Sequence, residues 1–195
     1  MMGWYSFVPF MQCYHGVVSM DHALEGWLDT RAGHISFSGG RGYIEKDWGM
    51  SFPKAWIWMQ TNHFVDSPGT SIMFSIAHIP WLKGAFIGFL GGFLWNGKVH
   101  DFTTYNRSAI RVMLKDHGVH IRLKKGALQL DIDADQAPGA DLKSPISGEM
   151  LGKVNESMKA SIHVILQKNG KVQFEGTGTH AGMEMAGDVG ILLDV

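Results

Sequence analysis

One cysteine, Cys13, stands in 195 residues, so no intrachain disulfide can form and the fold rests on burial and hydrogen bonding alone. That usage fits a reducing, cytoplasmic compartment or indifference to redox state. A charge excess is also missing: 17 basic residues face 18 acidic ones for a formal net charge of −1, which leaves no electrostatic footprint for nucleic acid. No apolar run reaches the roughly 20 residues that a membrane-spanning helix needs. The most lipid-like stretch, GAFIGFLGGFLW from Gly84 to Trp95, is too short and too glycine-rich for such a helix. It reads as a buried strand pair or barrel wall rather than a membrane-surface element. The opening MMGWYSFVPF has no basic flank and is broken by Ser6 and Pro9, so a signal peptide is not expected. His-Glu-x-x-His, Cys-x-x-Cys and any local carboxylate–histidine cluster are missing, and His117 and His120 would point to opposite strand faces, so no metal is expected. Without Gly-x-Ser-x-Gly or a phosphate-loop lysine, serine nucleophile chemistry and nucleotide binding are not expected either.

What the chain has instead is glycine, at 25 residues, and period-two alternation. Val119, Ile121 and Leu123 fall on one face of VHIRL, and Leu128, Leu130 and Ile132 alternate with Gln129, Asp131 and Asp133. With KDHG and KKGA as turns, Ala109 to Asp133 reads as a three-stranded meander, and SIHVILQ-KNGK-VQFEGTG as a hairpin turning at Asn169-Gly170. Further strands are expected at Tyr14–Ser19, Leu24–Leu28, His34–Phe37, Gly42–Lys46, Trp56–Asn62, Ile72–Ile79 and Val99–Thr104. AGMEMAGD is the best candidate for one or two helical turns, and the stretch from Asp135 to Gly148 reads as a long loop. These elements predict an all-β, antiparallel, closed or nearly closed barrel.

One stretch asks for more than packing. In GRGYIEKDWGMSFPKAWIWMQTNHF, extension puts Arg41, Tyr43 and Glu45 on one face, with Asp47 continuing it. In the next strand Trp56, Trp58, Gln60 and Asn62 share a face while Ile57, Met59 and Thr61 form the core side. Two indoles followed by two carboxamides make a wall suited to a ligand with a polar aromatic head and an apolar body. The residue pattern alone is equally met by core aromatics, solvated edge charges and an Asn62 that caps a turn.

The same run, preceded by CYHGVVSMDHALEG and followed by FEGTGTHAGMEMAG, closely resembles the tocopherol cyclase family. Gly42-Tyr43-x-Glu45-x-x-Trp48-Gly49 is more distantly similar to the Tyr-x-acid-x-x-Trp-Gly pattern of carotenoid 1,2-hydratases. The resemblance implies a lipocalin-like β-barrel forming the C-terminal part of a two-domain lipocalin-like protein. Residues 1–38 would then border or complete a missing N-terminal β domain, and residues 39–195 would form the barrel. Tyr14 to Leu28 is expected to pack against that missing domain, with association of the isolated chain as the consequence.

The resemblance also implies cofactor-free cyclisation of a prenylated hydroquinone to a chromanol, begun by protonation of an alkene. A small hydrophobic prenylated ligand is the implied partner. Glu45 would be the acid, Tyr43 its hydrogen-bond partner or relay, and Asp47 the alternate acid, second because plant-type motifs carry asparagine there. Trp48, Trp56 and Trp58 would face the cation, and Gln60, Asn62 and His63 would hold the quinol hydroxyls. The rival reading is a non-catalytic lipocalin-like carrier of an isoprenoid quinone or other lipid. Homo-oligomer formation, peripheral membrane contact and a plastid location for a plant-derived chain are left open.

Overall fold

A computed structural model describes residues 2–193. Its first strands, β1 (Cys13–Ala23), β2 (Trp27–Thr30), β3 (Gly33–Ser36) and β4 (Arg41–Gly49), form a separate unit. β1 and β4 pair as an antiparallel ribbon, and the β2–β3 hairpin is nested between them. Ten strands make the main sheet. They are β5 (Ala55–Thr61), β6 (Ser71–Trp81), β7 (Gly84–Trp95), β8 (Lys98–Thr103), β9 (Ala109–Lys115), β10 (Gly118–Lys125), β11 (Leu128–Asp135), β12 (Ala140–Ile146), β13 (Glu149–Lys168) and β14 (Lys171–Gly187). Their order is β8-β7-β6-β5-β14-β13-β11-β10-β9, with β12 on the first half of β13. All the pairings are antiparallel, and among the described residues the helical content is two short 3₁₀ turns, Gly3–Phe7 and Val189–Leu192.

The meander is β9 to β11, and the Asn169-Gly170 turn joins β13 to β14 with both residues at positive φ, as a two-residue hairpin loop requires. Gly84 to Trp95 is one strand, not a pair. Two other expectations fail. AGMEMAGD lies in β14, laddered to β5, so tertiary pairing overrides the helix propensity of its Ala, Met and Glu residues. The supposed loop contains β12, an edge strand whose Pro145 is tolerated because the outer side of that strand has no ladder partner.

The sheet curls through the bulges of β13 but does not close, which corrects the expectation of a barrel. β8 and β9 are consecutive, yet the connection between them is tied backwards: Thr104 Oγ1 accepts from Phe89 N at 2.7 Å and Asn106 Oδ1 accepts from Thr103 N at 3.0 Å. Across the opening β8 meets β10 through side chains, where Lys125 Nζ donates to Asp101 Oδ1 at 2.7 Å.

Inside the curl the space is filled. Phe74, Phe93, Phe102, Ile121, Leu123 and Ile132 are fully buried in one cluster, so the concave face is a core rather than a ligand chamber. β5 shows the division most sharply, with Ala55, Ile57, Met59 and Thr61 buried and Trp56, Trp58 and Gln60 half-buried on the opposite face. The β1–β4 ribbon lies over that second face without laddering to it. β4 is thus paired with β1 and faces β5 across a gap. The outer side of this unit leaves Val18, Trp27, Leu28, Ile35, Ile44 and Trp48 exposed.

Because Phe74 is wholly buried, Phe74→Ala should cost about 3–5 kcal/mol, read as a lower urea midpoint at unchanged m-value. Val65, 79% exposed, should tolerate alanine within about 0.5 kcal/mol.

Candidate active site

Between ribbon and sheet lies a cavity of about 420 Å³. Its floor is the non-core face of β5, β6 and β7, where Trp56, Trp58 and Gln60 rise beside the small residues Ser75, Ala77 and Gly88. Smallness matters most beside the indoles, where a Cβ on Gly182 would come within 2.9 Å of Trp58 Cη2; one on Gly88 would come within 2.5 Å of Ile79 Cδ1, a side-chain end that could shift. The roof is the ribbon face carrying His15, Tyr43, Glu45 and Asp47.

Glu45 is the centre of a hydrogen-bonded group. Tyr43 donates its hydroxyl to Oε2 in a very short contact, and Trp58 Nε1 donates to Oε1 at 2.5 Å. His15 Nε2 stands 3.1 Å from Oε1, close enough for ion pairing though off the line of a good hydrogen bond. The other ring nitrogen of His15 lies 2.6 Å from Asp47 Oδ1. His15 and Asp47 are directly opposed in the β1–β4 ladder, and Glu45 sits two residues on along the same face.

Burial pushes the Glu45 carboxyl above its ordinary pKa, and the pull of His15 and the hydrogen bonds from Tyr43 and Trp58 offset only part of that. His15 is also raised. Burial acts downward on it, but its bond to Asp47 and the charges of Glu45 and Asp47 outweigh burial. The Tyr43 hydroxyl is pushed up by burial and by Glu45, so it stays a proton carrier rather than an anion. Cys13 also lines the cavity, but burial lifts its thiol to about 12, which rules it out as a thiolate nucleophile near neutral pH.

A second carboxyl pair occupies the β13–β14 side of the cavity. Glu184 accepts from Trp56 Nε1 at 2.7 Å and is paired across strands with Glu156. Burial, ahead of the charges of Glu156, Asp47 and Glu45, raises Glu184 to about 7 against the Trp56 hydrogen bond.

Of the residues singled out in the sequence, Tyr43, Glu45, Asp47, Trp56, Trp58 and Gln60 border this cavity. Three do not. Trp48 alternates to the outer face of β4, 46% exposed, where it stacks on Tyr14 and lies under Lys46 Nζ at 4.7 Å. Asn62 and His63 follow the end of β5, where the chain leaves the wall; His63 O accepts from Thr179 N and its ring faces that of His180 at 5.1 Å. His15, Glu156 and Glu184 were not singled out. His15 also overturns the expectation that no carboxylate–histidine cluster forms, since His15, Glu45 and Asp47 bring three potential ligand atoms within 4.8 Å of one another. The same atoms are engaged as a hydrogen-bonded chain, so the arrangement can hold and pass a proton as readily as it could hold a cation.

Since the folded chain holds the Glu184 proton more tightly than the unfolded chain does, that contribution to stability is complete below about 4.5 and is lost as pH rises through about 7. His15, Glu45 and Glu156, also raised, act in the same sense. Urea unfolding should therefore show greater stability at about pH 5 than at about pH 8. Glu184→Gln should remove about 1–3 kcal/mol of that difference, after allowance for solvent screening of a half-buried group.

Comparison with known proteins places the chain in a family. The family model described as tocopherol cyclase-like matches residues 1–187. Among curated relatives, the probable chloroplastic tocopherol cyclase of Oryza sativa subsp. japonica is 30% identical over 67 residues, and the chloroplastic tocopherol cyclase of Zea mays is 32% identical over 69. These segments cover 34% and 35% of this chain but 14% of each relative, so the match spans a small part of their length. Among solved structures, kievitone hydratase from Nectria haematococca superposes with a TM-score of 0.52 at 12% identity, over 90% of this chain and 53% of the hydratase. That likeness is one of fold. With a family model covering nearly all of the sequence, the chain belongs to the tocopherol cyclase-like family.

Proposed function

We propose that the chain is a cofactor-free cyclase that protonates the alkene of a prenylated hydroquinone and lets the phenolic oxygen close a chroman ring. The observation that carries this reading is the Glu45 carboxyl, withdrawn from water at the edge of an indole-lined cavity and held from both sides by proton-bearing groups.

Protonating carbon needs a carboxylic acid that stays protonated near neutral pH, and desolvation raises Glu45 in that direction. For delivery the resting Tyr43-to-Oε2 hydrogen bond reverses: the Tyr43 hydroxyl, which faces the cavity, gives its own proton to the alkene carbon as it accepts the proton of the Glu45 carboxyl. The tertiary cation then forms beside the Trp56 and Trp58 indoles, which stabilise positive charge by about 1–2 kcal/mol each in a dry site without offering a lone pair to capture it. Gln60 Oε1 is buried on the wall without a partner, ready to accept a hydrogen bond from a ligand hydroxyl. Afterwards Asp47 and His15 reload Glu45. The Asp47 side chain is 35% exposed and that of Glu45 only 9%, so the three form a path from solvent to the acid.

Glu45→Gln keeps the shape and removes the acid. Chromanol formation from a prenylated hydroquinone should fall by about 10²–10⁴-fold, while substrate affinity stays within a few-fold, because the lost group acts in the transition state. Asp47→Asn should slow turnover less. Chromatographic assay of chromanol with parallel ligand titration checks both. Binding without turnover in the unaltered protein would instead favour a carrier of isoprenoid quinones or other lipids.

A further inference from the structure

The cyclisation moves two protons, and Glu45 accounts for one. Resting on the reading above, we propose that Glu184 is the base that removes the phenolic proton as the ring closes.

The two carboxyl groups are held by equivalent devices on one wall. Trp58 Nε1 donates to Glu45 and Trp56 Nε1 donates to Glu184. These indoles are two residues apart on the same face of β5, which sets their Cα atoms roughly 7 Å apart along the strand. The spacing is on the scale of a fused two-ring head group, so one substrate can present its alkene towards Glu45 and its phenol towards Glu184. The ladder adds registry, since Glu184 lies directly opposite Trp58 in the β14–β5 pairing.

The orientation of Glu184 leaves one oxygen free. Trp56 occupies Oε2, and among the described residues no side chain donates to Oε1 on this cavity-lining residue. Glu45 differs, because both of its oxygens take protein hydrogen bonds. Asp47 is committed to His15, and His15 to Glu45 as well, which leaves Glu184 and its neighbour Glu156 as the remaining carboxyls on the cavity among the described residues. Glu156 has no indole to hold it; burial first, and then the charges of Glu156, Asp47 and Glu45, raise the proton affinity of Glu184. A value of about 7 keeps a large share of Glu184 ionised at neutral pH and still basic enough to accept a proton from an oxygen that is becoming cationic.

The step balances. The alkene π pair forms a C–H bond with the proton delivered from Glu45 and leaves a tertiary cation. A phenolic lone pair forms the C–O bond, the O–H bond breaks, and its proton passes to Glu184 Oε1. The product is an isomer of the substrate, and the protein has moved one proton from Glu45 to Glu184, which exchange with water reverses.

The test uses the full chain, a prenylated hydroquinone and D₂O. The unaltered protein should yield chromanol carrying one new carbon-bound deuterium. Glu184→Gln retains an acceptor for Trp56 and hence the local fold; it should lower chromanol by about 10²-fold or more. It should still place deuterium on carbon, in recovered alkene or in a tertiary alcohol formed by water capture. Glu45→Gln should lose deuterium uptake and chromanol together, and Glu184→Asp should recover part of the chromanol. Chromanol formation by Glu184→Gln at the unaltered rate, or joint loss of both signals as in Glu45→Gln, would overturn the assignment. Neither signal from the unaltered protein would instead overturn the cyclase reading and this step with it.

Discussion

A carboxyl group taken out of water must be satisfied by its surroundings, and for Glu45 those surroundings come from two separate bodies. Tyr43 and His15 belong to the β1–β4 ribbon, while Trp58 belongs to the ten-stranded sheet. Ribbon and sheet share no ladder, and among the described residues the Trp58–Glu45 bond is the one side-chain hydrogen bond that joins them. Docking of the ribbon and burial of the Glu45 carboxyl are therefore one event. Were the ribbon displaced, Glu45 would return to water and behave as an ordinary glutamate; with the ribbon seated, burial raises its proton affinity and the cavity acquires its roof.

The floor obeys a complementary constraint. Two large indoles can stand side by side on β5 only if their neighbours on β6 and β14 are small, and Ser75, Ala77 and Gly182 meet that need. Each indole then has an N–H to place, and a half-buried N–H calls for an acceptor. Glu45 and Glu184 supply the acceptors. The aromatic wall and the placing of the two carboxyls against it thus follow from one choice of large polar-edged residues, while burial, against the pull of the indole N–H groups, raises both carboxyls.

Much of this was legible in the sequence because its cause is local. Alternation in Ala55–Thr61 separates the core face from the cavity face, and Tyr43, Glu45 and Asp47 share a side for the same reason. The meander and the Asn169-Gly170 turn follow from period and turn chemistry. What failed was non-local. Nothing near His15 signals that two nested strands will bring it opposite Asp47, and nothing in AGMEMAGD says that β5 will claim it as a ladder partner. β12 was missed because an exposed edge strand needs no apolar alternation, and Trp48 was misplaced because an aromatic next to a motif was assigned to the motif's face. Closure failed as an expectation because strand counting does not say whether the first and last strands of a sheet will ladder, and β8 and β9 do not.

The filled curl and the ligand cavity use opposite faces of the same strands. In a barrel that carries its ligand inside, every change of binding residue is also a change of core, and selection for a new ligand competes with selection for folding. Here Trp56, Trp58, Gln60, Ser75 and Ala77 can be exchanged while Ile57, Met59, Phe74 and Ile76 go on packing as before. The scaffold therefore separates the evolutionary cost of reshaping the cavity from that of remaining folded, which leaves the cavity face of one curled sheet free to change while its other face stays a core.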